Sequence, residues 1–151
     1  MNTNIRFLGA IIGLFLLCGA FASDLTAAGT TARIDVLLVS AGNGDGGVDP
    51  ALKPYAGTLQ RLFRFKSYNL VKKTGMKVDL PGGGSTSLPD GQSLKVNAKP
   101  SGDRTINADI EWMRGGKRLL HTGMQLRPGK PAVLGGPRSG EGTLLLILVV
   151  R

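Results

Sequence analysis

Residues 106–113 read INADIEWM, and apolar and polar side chains alternate along most of this stretch. Ile106, Ala108, Ile110 and Trp112 share one face of an extended chain. A period of two residues is that of a β-strand with one buried and one solvent-facing side. Residues 94–99, LKVNAK, repeat the pattern. The sequence therefore predicts an antiparallel sheet with one face on a hydrophobic core.

Two further stretches are apolar almost without interruption. They are 33–40, RIDVLLVS, and 143–150, TLLLILVV. Strands of this composition are typical of sheet interiors that are covered on both faces. An exposed edge strand with the same side chains would promote aggregation. Both stretches are predicted to be interior strands.

One helix is predicted after the first strand. Asp49 is a good N-cap and Pro50 suits the first helical position. Pro54 removes a backbone donor, so the regular helix is expected to begin there. The apolar side chains then form a single stripe that can pack on a sheet, namely Leu52, Tyr55, Leu59, Leu62 and Phe63.

Glycine- and proline-containing turns separate the remaining strands. Thr74-Gly75 predicts a tight hairpin turn between strands at 66–73 and 76–80. Further turns are predicted at 88–91, 115–116 and 127–130. The whole pattern predicts a mainly β protein, an antiparallel sandwich or partial barrel of about eight short strands with one packed amphipathic helix.

The N-terminus has the three parts of a secretory signal peptide at 1–22. Arg6 provides the positive charge, residues 7–18 are apolar, and small residues precede the expected cleavage before Ser23. The apolar run is shorter than the roughly 20 residues that a spanning helix needs. The sequence therefore predicts export, to the periplasm or the medium, of a chain with a flexible leader at 23–32 and one β-rich domain at 33–151.

Cys18 is the only cysteine, and it lies in the predicted signal. Leu17 occupies the position where a lipobox has a small residue, so the sequence favours a cleaved signal over a lipid anchor at Cys18. A mature chain without cysteine forms no disulfide. We therefore expect its stability to come from packing.

The loop at 42–47, GNGDGG, matches the G-x-G-x-x-G pattern of dinucleotide-binding turns. The acidic residue expected about 20 positions later is missing, and the following elements are not βαβ units. Aligned as a calcium loop, the stretch places Ala41 and Leu52 where oxygen ligands are required. We predict a glycine loop and no cofactor.

Catalytic groups are few. His121 is the only histidine, which excludes the usual zinc sites, and no G-x-S-x-G motif occurs. Asp109 and Glu111 share a strand face and could in principle act as paired carboxylates. A secreted hydrolase of polysaccharide or ester substrates, with Asp109, Glu111 or His121 at its centre, is therefore an alternative hypothesis.

The charge pattern supports the leading hypothesis. The chain has 19 basic and 10 acidic residues and a formal net charge of +9. A basic surface attracts anionic partners, and export favours an anionic envelope component or acidic protein over nucleic acid. We predict a non-enzymatic exported domain that binds such a partner through its densest basic cluster, Arg61, Arg64, Lys66, Lys72, Lys73 and Lys77.

The C-terminal part allows a third hypothesis. The apolar strand at 143–150 could complete the sheet of a neighbouring subunit in an envelope assembly. Residues 126–136, LRPGKPAVLGG, followed by the aliphatic 144–150, also resemble part of the secretin family of outer-membrane channels. The chain is much shorter than a secretin and lacks the proline-rich signature before the last strand. The resemblance implies an envelope β-domain and assigns no functional residue.

Overall fold

The computed structural model describes residues 29–151. The predicted signal peptide at 1–22, with Cys18, lies outside the described residues, as do residues 23–28 of the predicted leader. The strand that follows begins at Thr30, so residues 30–32 belong to the sheet and not to a leader.

Eight strands and one short helical segment make up the described chain. The helical segment is a 3₁₀ helix, Pro50–Tyr55, continued by the α-helix α1, Ala56–Leu62. The strands are β1 (Thr30–Gly42), β2 (Ser67–Leu80), β3 (Gly82–Leu88), β4 (Gln92–Pro100), β5 (Ile106–Arg114), β6 (Lys117–Leu126), β7 (Ala132–Ser139) and β8 (Gly142–Val150).

The strands form two four-stranded antiparallel sheets. Sheet 1 has the order β2-β1-β8-β7, and sheet 2 has the order β3-β4-β5-β6. Alternation along β4 and β5 turns Leu94, Val96, Ile110 and Trp112 towards sheet 1, where they are fully buried. The predicted mainly β class, strand number and antiparallel pairing are confirmed, and the architecture is a sandwich.

Sheet 1 is buried on both faces along its two central strands. Ile34, Val36 and Leu38 of β1 pack between the sheets, whereas Leu37 and Val39 pack under the helical segment. All seven residues from Leu144 to Val150 in β8 are buried. The two continuous apolar stretches are therefore interior strands, as predicted.

The helical segment covers only part of the outer face of sheet 1. Leu52 and Leu59 are fully buried on it, and Tyr55 and Phe63 are partly buried there. Leu62, which the apolar stripe included, is 54% exposed. The prediction of one packed helix is confirmed, but Leu62 was wrongly placed in its buried stripe.

The predicted hairpin turn at Thr74-Gly75 is wrong. β2 runs through both residues without a break, and they pair with Val36 and Asp35 of β1. Pairing along the whole of the long strand β1 outweighs the local preference of glycine for a turn. The irregularity in β2 lies instead at Val71, which has no partner because Leu70 and Lys72 pair with consecutive residues of β1. It is a β-bulge.

The glycine loop forms backbone hydrogen bonds with the first residues of β2, along the edge of β2 that no described strand covers. Tyr68 N donates to Gly47 O at 2.7 Å, and Asp49 N donates to Tyr68 O at 2.8 Å. Asp49 also accepts from Ala51 N through Oδ1 at 2.9 Å and from Leu70 N through Oδ2 at 3.2 Å. One carboxylate therefore caps the helical segment and fixes it to the sheet edge.

Candidate functional site: a basic face on sheet 1

The six predicted binding residues are all exposed, but they do not form one cluster. Arg61 lies in α1, and Arg64 and Lys66 lie in the connection to β2. At about 3.3 Å per residue, the extended chain places Lys66 and Lys77 about 35 Å apart. The sequence cluster is therefore spread out, with Arg61, Arg64 and Lys66 before the start of β2 and Lys72, Lys73 and Lys77 along its middle and second half.

The bulge at Val71 separates the two neighbouring lysines. Lys72 pairs with Leu38, whose side chain points between the sheets, and Lys73 pairs with Leu37, whose side chain points to the outer face. Facing side chains of paired residues lie on the same side of a sheet. Lys72 and Lys73 therefore project from opposite faces.

A different cation joins Lys73 and Lys77 on the outer face. Arg33 of β1 is paired directly with Lys77, and both side chains are exposed. Lys73 follows on the same face of β2, beyond Gly75. We call Arg33, Lys73 and Lys77 the basic face. It occupies the part of the outer surface of sheet 1 that the helical segment leaves open.

Arg33 and Lys77 face each other in the kind of antiparallel pair that brings side chains closest together. Arg33 O accepts from Arg151 N at 2.9 Å, on the β8 side of β1, so the backbone of Arg33 points away from β2. Arg33 and Lys77 are therefore a non-hydrogen-bonded pair, the kind in which facing side chains approach most closely. Like charges in such positions repel each other.

Two carboxylates flank this pair on the outer face, those of Asp35 and Asp79, and the carboxylate of Asp35 is already neutralised. Asp35 Oδ2 lies 2.8 Å from both Nε and Nη2 of Arg151. The hydrogen bond to Asp35, followed by the attraction of its charge, raises the pKa of the Arg151 guanidinium above its ordinary value. Within residues 29–151, no acidic side chain forms a salt bridge with Arg33, Lys73 or Lys77.

Gly75 leaves space between these groups. A β-carbon on Gly75 would lie 3.8 Å from Arg33 Nε and 3.9 Å from Asp35 Oδ1, both at ordinary contact distance. The Arg33 guanidinium thus lies beside an open backbone position of β2. The Asp35 carboxylate borders the same position.

The residues of the hydrolase hypothesis lie on the outer face of sheet 2. His121 Nε2 is 2.7 Å from Asp109 Oδ1, and Arg118 Nε donates to Glu111 Oε1 at 2.8 Å. The side chains of His121 and Asp109 are 45% and 53% exposed. Both carboxylates are held by a basic partner on an open surface, which differs from the enclosed sites where catalytic acids are activated.

The strand named in the strand-addition hypothesis, β8, lies inside sheet 1. This strand pairs with β1 on one side and with β7 on the other, so its backbone groups are used within the chain. An exposed edge is what strand addition requires. In the described fold, the apolar 143–150 stretch therefore has no open edge.

Among residues 29–151, no group of three or more His, Cys, Asp or Glu side chains is placed to hold a metal ion. Neither helix of the same part of the chain is long and apolar enough to cross a membrane.

Sequence reasoning missed Arg33 because it is far along the chain from the lysines. Only the β1–β2 register brings it to Lys77. Its signal in the sequence was the polar position that interrupts the apolar alternation at the start of β1.

No protein-family model matches the chain, and neither the curated proteins nor the solved structures gave a match.

Proposed function

We propose that this chain is a non-enzymatic, exported β-sandwich domain that binds an anionic envelope or extracellular partner on its basic face. The observation that carries the proposal is the direct pairing of Arg33 with Lys77, with Lys73 on the same face. Facing like charges cost stability in an antiparallel pair. An anionic partner seated between them removes that cost and gains the attraction of all three cations.

Protection of a sheet edge explains part of this arrangement. β2 is an edge strand, and lysines on edge strands hinder pairing with another chain. Arg33, however, lies on β1, which has strand partners on both sides. Edge protection gives no reason for a cation there, whereas binding of an anion does.

The partner's chemistry follows from the form of the site. Arg33 offers a planar guanidinium that can bind two oxygens of a phosphate or carboxylate, and the lysines act as point charges. The surface is open, which suits a surface or polymer better than a small molecule enclosed in a pocket. Anionic lipid headgroups and acidic polymers both meet these requirements, and the experiment separates them.

The experiment compares two triple variants with the same change in charge. The first is Arg33→Glu/Lys73→Glu/Lys77→Glu, and the second is Arg61→Glu/Arg64→Glu/Lys66→Glu. One probe is vesicles of phosphatidylglycerol and phosphatidylcholine in equal amounts, measured by co-sedimentation. The other is soluble polyglutamate, measured by calorimetry.

We expect the first triple variant to lose about 100-fold in affinity for one of the two probes, since each basic residue near an anionic surface contributes about 1 kcal/mol. The second variant should lose much less if binding is localised on the basic face. Equal losses would mean that only total charge matters, and they would overturn the proposal. So would failure of the wild-type domain to bind either probe at low salt.

A further inference from the structure

A groove crosses the outer face of sheet 2, on the opposite side of the molecule from the basic face. Its volume is about 680 Å³. Its floor is the backbone of one row of paired residues, Gly82, Ala98, Ala108 and Met124. The alanine side chains of this row point into the core, so the backbone itself faces the groove.

Two rows of outward side chains form the walls. Asn97 and Asp109 stand on one side, and Lys99, Asn107 and Gln125 stand on the other. Rows two residues apart along a strand are separated by about 7 Å, and four strands span about 14 Å. The groove is therefore a channel about 7 Å wide and about 14 Å long that runs across the strands.

The channel is open at its β6 end, whereas at its β3 end Asn97 Oδ1 would lie 2.9 Å from a β-carbon on Gly83. Gly83 pairs with Asn97 at the β3 edge, and Gly123 pairs with Asp109 at the β6 edge. A β-carbon on Gly123 would meet nothing within 4 Å. A ligand longer than the sheet can therefore continue past its β6 edge.

The polar lining is neutral overall. Lys99 and Asp109 carry opposite charges, and the other three polar side chains are amides. This balance contrasts with the basic face and with the positive charge of the whole chain. Amides donate and accept, and a carboxylate accepts two hydrogen bonds, which matches hydroxyl groups on neighbouring carbons.

His121 positions the carboxylate. His121 lies in the next row of outward side chains, outside the groove, and its Nε2 is 2.7 Å from Asp109 Oδ1. Among the described residues, Asp109 Oδ2 has no hydrogen-bond partner. One oxygen of Asp109 is thus held by the protein while the other is free to accept from a ligand.

We propose that this groove binds a neutral oligosaccharide chain, with Asp109, Asn107 and Gln125 as hydrogen-bonding residues and His121 as a positioning residue. Charge complementarity favours a neutral ligand, and the open channel favours a chain over a single sugar. No aromatic side chain lines the groove to stack on a sugar ring. We therefore expect a dissociation constant of about 1 mM for a short oligomer.

The test is a nuclear magnetic resonance titration of the domain with cellohexaose, maltohexaose and hexa-N-acetylchitohexaose, following the side-chain amides of Asn97, Asn107 and Gln125. One or more of these sugars should shift the three signals with saturation. The variant Asn107→Ala/Gln125→Ala should bind at least tenfold more weakly. Ser93→Ala, on the same sheet face outside the groove, should bind like the wild type.

The positioning role of His121 has its own readout. His121→Ala should weaken binding and also shift the Asp109 carboxylate signal of the free protein. The proposal is overturned if none of the three sugars produces a saturating shift. It is also overturned if the Asn107→Ala/Gln125→Ala variant binds as well as the wild type, or if an oligogalacturonate binds this groove more tightly than every neutral oligomer.

Discussion

The indole ring of Trp112 lies against the backbone of Gly136, so a β-carbon on Gly136 would overlap the ring atoms Cζ3 and Cη2. Trp112 is on β5 of sheet 2, and Gly136 is on β7 of sheet 1. The contact fills the space between the two sheets with the largest side chain of the core. The absence of a side chain at Gly136 is therefore a requirement of the packing.

Replacement of Gly136 should destabilise the domain strongly. We expect Gly136→Ala to lower the free energy of unfolding by about 3 kcal/mol, because Trp112 is fully buried and cannot move aside. The measurement is urea unfolding followed by the fluorescence of Trp112, the only tryptophan. Gly57→Ala in α1, where a β-carbon meets nothing within 4 Å, is the control and should stabilise by about 0.5 kcal/mol. A small effect at Gly136 would contradict the packing.

The Trp112 indole also donates to the oxygen of a buried amide. Its Nε1 donates to Gln92 Oε1 at 2.9 Å, and Gln92 is 2% exposed. Trp112→Phe should cost about 2 kcal/mol, since it leaves the Gln92 oxygen unpaired. Adding Gln92→Leu should recover part of that loss. Additive losses in the double variant, measured by thermal unfolding, would show that the hydrogen bond contributes little.

Asp49 should matter for stability more than any other acid in its loop. Asp49→Ala removes the acceptor for both Ala51 N and Leu70 N, and we expect a loss of about 2 kcal/mol. The amide of Leu70 should also exchange its hydrogen faster with solvent. Asp45→Ala, in the exposed part of the same loop, should change neither property. Unchanged exchange at Leu70 would argue against the link between helix and sheet edge.

The basic face should show opposite effects on stability and binding. Lys77→Glu converts the repulsive Arg33–Lys77 pair into an attractive one, so we expect it to stabilise the domain by about 0.5 kcal/mol at low salt. The same change should weaken vesicle or polyglutamate binding, and added salt should reduce the gain in stability. A loss of stability in Lys77→Glu would mean that this lysine has a structural role. Because glutamate also hinders edge pairing, protection of the sheet edge is retained in the variant.

Strands were predictable where one periodicity governed the side chains. The alternation of Leu94, Val96 and Ala98 placed β4, and the unbroken apolar run placed β8 in the interior. Both patterns directly reflect which side chains are buried. The turn at Thr74-Gly75 failed because its residues pair with β1, and a local sequence carries no information about a partner strand.

The basic face was less predictable for a related reason. Neighbours in sequence, such as Lys72 and Lys73, point to opposite faces once a bulge shifts the register. Residues far apart, such as Arg33 and Lys77, meet only through that same register. Strand pairing and bulges decide which charges share a face, and neither is visible in composition or spacing.

The position of β8 between β1 and β7 also determines how sheet 1 can form. The Asp35–Arg151 ion pair joins residues 116 positions apart, at the junction of the first and last strands described. Contacts of such high sequence separation carry a large loop-closure entropy and are associated with folding in milliseconds to seconds. A chain truncated before β8 would lose the middle of sheet 1 and would expose an apolar edge of β1 to other chains. The central pairing of sheet 1 therefore forms only once the last described strand is available.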